Sequence, residues 1–279
     1  MEHSKAPYSF IFQKTSRYSN YIETRGMTMQ TVKEITAALK IATRKEEWMA
    51  ALEQDERASV QKAWNQFLKR LEKQQQIQQA HNEKIAFDRQ YGKLVAGVDE
   101  AGRGPLAGPV VTAAVILGEN CQALCGLNDS KQLSKEARER FASLVKEHAI
   151  SYYIHFQSAE EIDRLNIYEA TKQSMTESVK NLHITPDFVL VDAMTLPISI
   201  PQASIIKGDA TSLAIAAASI LAKTARDHYM ENLALEYPQY GFEQHAGYGT
   251  KQHLLALEQY GPIIHHRKSF EPIKSMMKG

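Results

Sequence analysis

Cysteine is almost absent from this chain: Cys121 and Cys125 are the only two. They cannot build a disulfide framework, and a zinc site would have to borrow histidines from elsewhere. The favoured reading is two free thiols in or near a loop. Long apolar runs are missing as well. The longest nearly apolar one, Leu213 to Ala222, falls far short of the ~20 residues that span a bilayer, which excludes a membrane helix. No apolar stretch followed by a small-residue cleavage site stands near the start, so a cytoplasmic protein is expected. An excess of charge is lacking too, since 33 Lys and Arg against 32 Asp and Glu leave a net +1. The total therefore announces no polyanionic partner. A local basic surface beside an acidic site would cancel in the same sum.

Glycine and proline are both missing from Met27 to Tyr91. Lys, Glu, Gln and Ala dominate there, and Trp64, Phe67, Leu68 and Leu71 recur at helical spacing. Two or three helices are expected, ending in a solvated one through Lys69–Gln79. The glutamine-rich patch Gln74–Gln79 reads as an exposed helix face. Between Lys33 and Arg89, eleven basic residues against nine acidic ones favour nucleic acid mildly over neutral packing. The first 26 residues are rich in Tyr, Ser and Thr without periodicity and are expected to be disordered. Met27 and Met29 are alternative starts.

What is present follows from Leu94 onward. With 279 residues, 43% apolar and 23% charged, the chain suits one large domain, or a medium one with an extension. Leu94–Val98 and Val110–Leu117 are β-branched runs around a Gly/Pro-rich turn, which predicts a hairpin. Ser134 is a good N-cap for a helix to about Glu147. Further strands are predicted at Ser151–Phe156, Phe188–Val191 and Ala203–Ile206. Helices are predicted at Glu160–Leu182, Leu213–Leu235 and Lys251–Tyr260. Three strands in a row, then alternation with helices, indicate an α/β domain with a mixed sheet. Its expected span is 91–279, after a disordered leader at 1–26 and a helical extension at 27–90.

Three apolar strands run into acids: Asp99 and Glu100 after Val98, Asp192 after Val191, and Asp209 just beyond Ile206. An acid at the end of a buried strand is costly unless it is paired, hydrogen-bonded or metal-bound. If they converge, these acids form an oxygen cage suited to Mg²⁺ or Mn²⁺, the layout of two-metal phosphodiester hydrolysis. The pattern alone leaves convergence and unrelated surface acids equally open. Gly102-Arg103-Gly104-Pro105 lies directly behind the first acids. It offers either a phosphate-binding fork or a tight turn with a solvated arginine.

The run Val95-Ala-Gly-Val-Asp-Glu-Ala-Gly-Arg-Gly-Pro-Leu-Ala-Gly-Pro-Val110 resembles the signature of ribonuclease HII. The resemblance continues through Leu127–Ser134, Val189–Ala193, Ile206–Asp209, Ala217–Lys223 and Arg226-Asp227. Tyr237–Phe242, Gly247–Thr250 and His266–Phe270 complete it in order, over about two-thirds of the chain. It implies a ribonuclease H-like fold with a five-stranded mixed sheet, preceded by a small all-helical extension. It also implies a metal-dependent endoribonuclease using Mg²⁺ or Mn²⁺. Its substrates would be RNA/DNA hybrid and duplex DNA carrying single ribonucleotides, cut 5′ to the ribonucleotide to leave 3′-hydroxyl and 5′-phosphate ends. The implied role is removal of misincorporated ribonucleotides.

By resemblance, the catalytic and metal-binding carboxylates are Asp99, Glu100, Asp192 and Asp209. Asp227 is a competing acid, but it stands four residues after Lys223, where a helical ion pair is the simplest account. Asp209 could equally cap the helix that starts near Ser212. Gly102, Arg103 and Gly104 would read the ribose 2′-hydroxyl, which separates RNA from DNA. Tyr248 would pack on the sugar of the following nucleotide. Lys131, Lys207, Arg226 and Lys251 are cations that could meet phosphate or simply be solvated. The chain departs from the family's frequent pattern at Ala246, where a lysine often precedes Gly-Tyr. Asp-Glu-Ala-Gly-Arg separates it from the related HIII type, which carries Asp-Glu-Ser-Gly-Lys. A hybrid nuclease without junction preference and a non-catalytic nucleic-acid binder remain the alternatives.

Overall fold

The computed structural model describes residues 31–127, 130 and 133–277. The expected leader at 1–26 and the candidate Lys131 lie outside the described residues. The chain forms two compact units, divided between Gln78 and Gln79.

The described part of the first unit is helical. Helix α1 (Val32–Ile41) begins with a capping box between Thr31 and Glu34, which satisfies otherwise unpaired N–H groups. A 3₁₀ stretch, Glu47–Gln54, follows, and then the long helix α2 (Ala58–Arg89). Ile35, Leu39, Met49, Leu52, Trp64 and Phe67 form the core between them. Arg70 donates to the carbonyls of Leu39 and Ala42, both at 2.7 Å, and so closes the end of α1. Residues Gln74–Ile77 and Gln79 are exposed, as the glutamine-rich patch suggests. With no glycine or proline to stop it, α2 runs on to Arg89.

The second unit contains a five-stranded sheet of order β3-β2-β1-β4-β5. Its strands are β1 (Val95–Ala101), β2 (Val110–Leu117), β3 (Ala149–Gln157), β4 (Phe188–Asp192) and β5 (Gln202–Ile205). The first three pair antiparallel, while β4 and β5 run parallel to β1, giving the expected mixed sheet. Helix α3 (Lys135–His148) starts at the predicted cap, Ser134. Where one helix is predicted over Glu160–Leu182, there are two, α4 (Ala159–Leu165) and α5 (Ile167–Lys180). Asn166 divides them. It takes a φ of 70° and accepts from the N–H groups of Tyr168 and Glu169, acting as a cap inside the run.

The two faces of the sheet are covered differently. Ala96, Val98, Ala114 and Ile116 face Met175 and Val179 of α5. Thr112 lies on the same face and shares its hydroxyl with Ser174 (2.9 Å) and Ser178 (2.6 Å). The opposite face meets α7 (Leu213–Glu236), which follows the short helix α6 (Gly208–Thr211). The first turns of α7 are mostly small or aliphatic, and they press directly on β1. A Cβ at Gly97 would stand 2.0 Å from the carbonyl carbon of Ala214. Only a glycine permits that approach.

The remaining helices, α8 (Phe242–His245), α9 (Lys251–Tyr260) and α10 (Ile273–Met276), pack with Leu106, Ala107 and Met230 in a separate apolar cluster. The segment between β1 and β2 is thereby joined to the end of the chain. Leu106 N–H bonds to Gly247, Gly108 N–H to His265, and Arg267 N–H to Leu106, all at 2.8 Å.

Gly97→Ala is expected to lower the unfolding free energy by about 3 kcal/mol, because backbone rather than a side chain must move. Urea unfolding of the purified variant measures this.

Candidate active site

Register brings the first acids together. Val98 of β1 pairs with Val191 of parallel β4, so the next residues, Asp99 and Asp192, stand side by side on neighbouring strands. Glu100 follows on β1. Ligand oxygens of Asp99, Glu100 and Asp192 all lie within 4.8 Å of one another. This is the carboxyl end of the parallel strands, where open α/β sheets place their ligands.

Asp209 does not belong to that group of three. It sits in α6, and its backbone carbonyl accepts from Lys84 Nζ at 2.8 Å. The cap of α7 is Ser212, whose hydroxyl accepts from Ile215 N–H, so Asp209 does not serve as that cap. Next to it, Gly208 N–H donates to Asp192 Oδ1 at 2.8 Å. Lys207 is exposed and holds a left-handed backbone, with φ 56° and ψ 47°.

Asp99 is only 6% exposed. Burial pushes its carboxyl well above the usual carboxylate range, and the charges of Glu100 and Asp192 push it further. The Ser219 hydroxyl and the Glu100 N–H, at 2.7 Å from Oδ1, oppose that rise. Ser219 lies in the Ala217–Lys223 stretch, which does not by itself mark it as a site residue. A hydroxyl inside an otherwise apolar helix run is the signal that could have found it. Three carboxylates this close, one of them buried, make a donor set that fits hard divalent cations such as Mg²⁺ or Mn²⁺. A cation there would relieve both the repulsion and the desolvation.

Behind the acids, Arg103 approaches Glu100 at 3.6 Å with a half-exposed side chain. The loop that carries it is held from beneath by two buried arginines. Arg226 donates to the carbonyls of Pro109 (3.0 Å), Ala107 (3.1 Å) and Ala246 (3.0 Å). It is 1% exposed, so the reading of Arg226 as a phosphate contact is corrected: its guanidinium faces inward. Arg267, which the sequence reading passed over, donates to Gly102 (2.6 Å), Arg103 (2.9 Å) and Gly108 (2.9 Å). Gly102 needs to be glycine twice over: its φ is +94°, and a Cβ would stand 2.0 Å from Arg226 Nε. Gly104 is exposed beside Tyr248, whose ring carbon a Cβ would meet at 3.6 Å. Tyr248 itself is 49% exposed. Asp227 pairs with Lys223 at 2.5 Å and with Arg138 at 3.6 Å, which gives it the ion-pair role expected of it.

The sequence model of the family described as ribonuclease HII matches residues 96–272, and that of the ribonuclease HII N-terminal domain matches 31–92. The chain belongs to the ribonuclease HII family. A relative from Geobacillus sp., named ribonuclease HII, is 50% identical over 90% of this chain and 92% of its own length. One of the same name from Bacillus mycoides is 49% identical over 90% of this chain and 100% of its own. Among solved structures, ribonuclease H2 from Pyrococcus horikoshii is similar with a TM-score of 0.59 and 29% identity. That likeness covers 66% of this chain and 97% of the other. The sheet and its helices are therefore a ribonuclease H-like fold, and the protein is a ribonuclease H, an endoribonuclease that acts on RNA with DNA. The family is divalent-metal dependent, and the acidic triad is in place. No described helix is long and apolar enough to cross a membrane.

Two substitutions test this geometry. Asp99→Asn removes a group whose ionised form costs stability once pH rises above its ordinary value of 3.8. At pH 7 to 8 the metal-free variant should melt about 3 °C or more above the parent. That gain should vanish near pH 4, while the upward shift caused by added Mn²⁺ should be lost in the variant. Scanning calorimetry checks all three. Arg267→Met strands several buried carbonyls and should cost about 3 kcal/mol in urea unfolding.

Proposed function

We propose that the protein hydrolyses the phosphodiester 5′ to a ribonucleotide, both in RNA/DNA hybrids and at single ribonucleotides within duplex DNA. The observation that carries this reading is the adjacency of the Asp99–Glu100–Asp192 cluster to the Gly102–Gly104 loop through the Arg103–Glu100 contact. Asp99, Glu100 and Asp192 would hold Mg²⁺ or Mn²⁺, with Asp209 completing the set. Bound there, such ions supply an activated water and stabilise charge on the leaving oxygen.

The chain's own residues do the rest. Ser219 and the N–H groups of Glu100 and Gly208 orient the carboxylates. Water adds at phosphorus, and the bond to the 3′-oxygen of the preceding nucleotide breaks. That oxygen takes a proton and leaves as a 3′-hydroxyl, with a 5′-phosphate on the ribonucleotide. Gly102, Arg103 and Gly104 meet the ribose 2′-hydroxyl, the group that distinguishes RNA at that position. Tyr248, beside Gly104, packs on the sugar of the next nucleotide and favours a deoxyribose there. Lys207, exposed beyond β5, and Lys131 meet phosphate. Residues 91–279 carry the chemistry, and 27–90 form an accessory helical extension. The role is removal of ribonucleotides from DNA in the cytoplasm.

A labelled DNA duplex with one embedded ribonucleotide tests the reading, beside an all-DNA duplex and an RNA/DNA hybrid, each with Mg²⁺, Mn²⁺ or EDTA. The expected result is a metal-dependent cut 5′ to the ribonucleotide with all-DNA intact, absent in Asp192→Asn although that variant still binds. Cleavage of the hybrid alone would remove the junction preference.

A further inference from the structure

Behind Tyr248 lie three buried imidazoles, His245, His253 and His266, none more than 8% exposed. Their partners fix where each proton sits. The N–H of Ile263 can only donate, and it reaches His266 Nδ1 at 2.9 Å. A neutral His266 therefore carries its proton on Nε2, 3.0 Å from His253 Nε2. His253 accepts there and carries its own proton on Nδ1. That atom is 2.9 Å from the carbonyl oxygen of Tyr248, which can only accept. The result is one directed chain, from Ile263 through His266 and His253 to Tyr248.

His245 braces the same turn. Its Nδ1 accepts from Gly247 N–H at 3.2 Å, and its Nε2 donates to Tyr240 at 2.9 Å. Its ring stacks on His253 with centroids 4.7 Å apart. Burial holds His253 below the usual imidazole range, and burial with His253 brings His266 down to about 4, so the neutral chain stands at physiological pH.

The turn needs such support. Ala246 and Gly247 both have positive φ, at 48° and 82°, and consecutive left-handed residues persist only where their surroundings hold them. Tyr248 is half-exposed, and its backbone sets the point from which its ring projects.

We propose that His253, oriented by His266, is a positioning residue that fixes the Tyr248 carbonyl and thereby sets the preference for a deoxyribose after the ribonucleotide. This rests on the reading of Tyr248 as the residue that meets that sugar. The chain acts through Tyr248 and leaves the acid cluster untouched.

Two amide substitutions separate positioning from packing. The amide nitrogen in His253→Asn takes the place of Nδ1 and can still donate to Tyr248. In His253→Gln the amide reaches the Nε2 position and leaves Tyr248 without that donor. The readout is the ratio of kcat/KM for a duplex with a single ribonucleotide to kcat/KM for an RNA/DNA hybrid. His253→Gln should lower this ratio about tenfold, toward that of Tyr248→Ala, while His253→Asn stays within about threefold of the parent. In a Tyr248→Ala background, His253→Gln should change the ratio no further. Melting temperature and its Mn²⁺ shift are followed for each variant.

Equal losses in the Asn and Gln variants, or a parental ratio in Gln, would overturn the proposal while Tyr248→Ala still lowers the ratio. If Tyr248→Ala keeps the parental ratio, the junction reading of Tyr248 fails first and takes the proposal with it.

Discussion

Everything in the catalytic unit is arranged around an unfavourable contact: Asp99, Glu100 and Asp192 held within 4.8 Å of one another at the end of two parallel strands. Like charges at such distances repel, and in a partly dry site the repulsion is little screened. Flexible side chains would swing apart. Two of these are held: Asp99 is covered by α7, whose backbone crosses β1 at Gly97, and Gly208 N–H holds Asp192. Rigidity here serves binding. A cage assembled in advance needs no rearrangement to accept a cation, and its cost is borne by the core on both faces of the sheet.

The loop behind the acids rests on charges of the opposite sign. Arg226 and Arg267 lie beneath the Gly102–Gly108 loop with no carboxylate bonded to either among the described residues, and both donate to backbone carbonyls instead. Burial lowers Arg226 to about 10, and burial with the charge of Arg226 lowers Arg267 to about 9. Both therefore stay charged near neutrality. Two buried cations behind a loop that points at solvent give that loop a positive field, which suits a phosphate backbone. The net charge of +1 conceals this, since the acid cluster a few residues away cancels it in the sum.

The acids were legible as a pattern: each ends or follows a β-branched run, and residues of that kind are costly there without a purpose. Their meeting was not, because the pairing of Val98 with Val191 joins segments far apart in the chain. Helices and strands with clear periodicity stand close to where the sequence puts them. The run at Glu160–Leu182 breaks at Asn166, since a single residue able to take positive φ and cap a helix leaves little trace in periodicity. Arg226 departs from expectation for a related reason. An arginine in a helix reads as a solvated or substrate-facing charge until the carbonyls it satisfies are known. The histidines behind Tyr248 gave no signal of their own, since their roles depend on partners from α8, α9 and the chain end.

Texture and packing also draw different lines through α2. Composition changes near Leu94, yet the compact unit that holds the sheet begins at Gln79. The reason lies in two side chains of the last turns of that helix. Asp88 accepts from Ala214 N–H at 2.9 Å and bonds to the Ser212 hydroxyl, so it caps α7 from another element. Burial pushes its carboxyl up to about 6 against those hydrogen bonds, a cost tolerated only where the cap matters. Lys84 spans from the Leu127 carbonyl to that of Asp209. One turn of helix thus secures the start of α7, which covers Asp99, and the backbone of the fourth candidate acid. The last turns of α2, from Gln79 on, therefore belong to the same compact unit as the sheet.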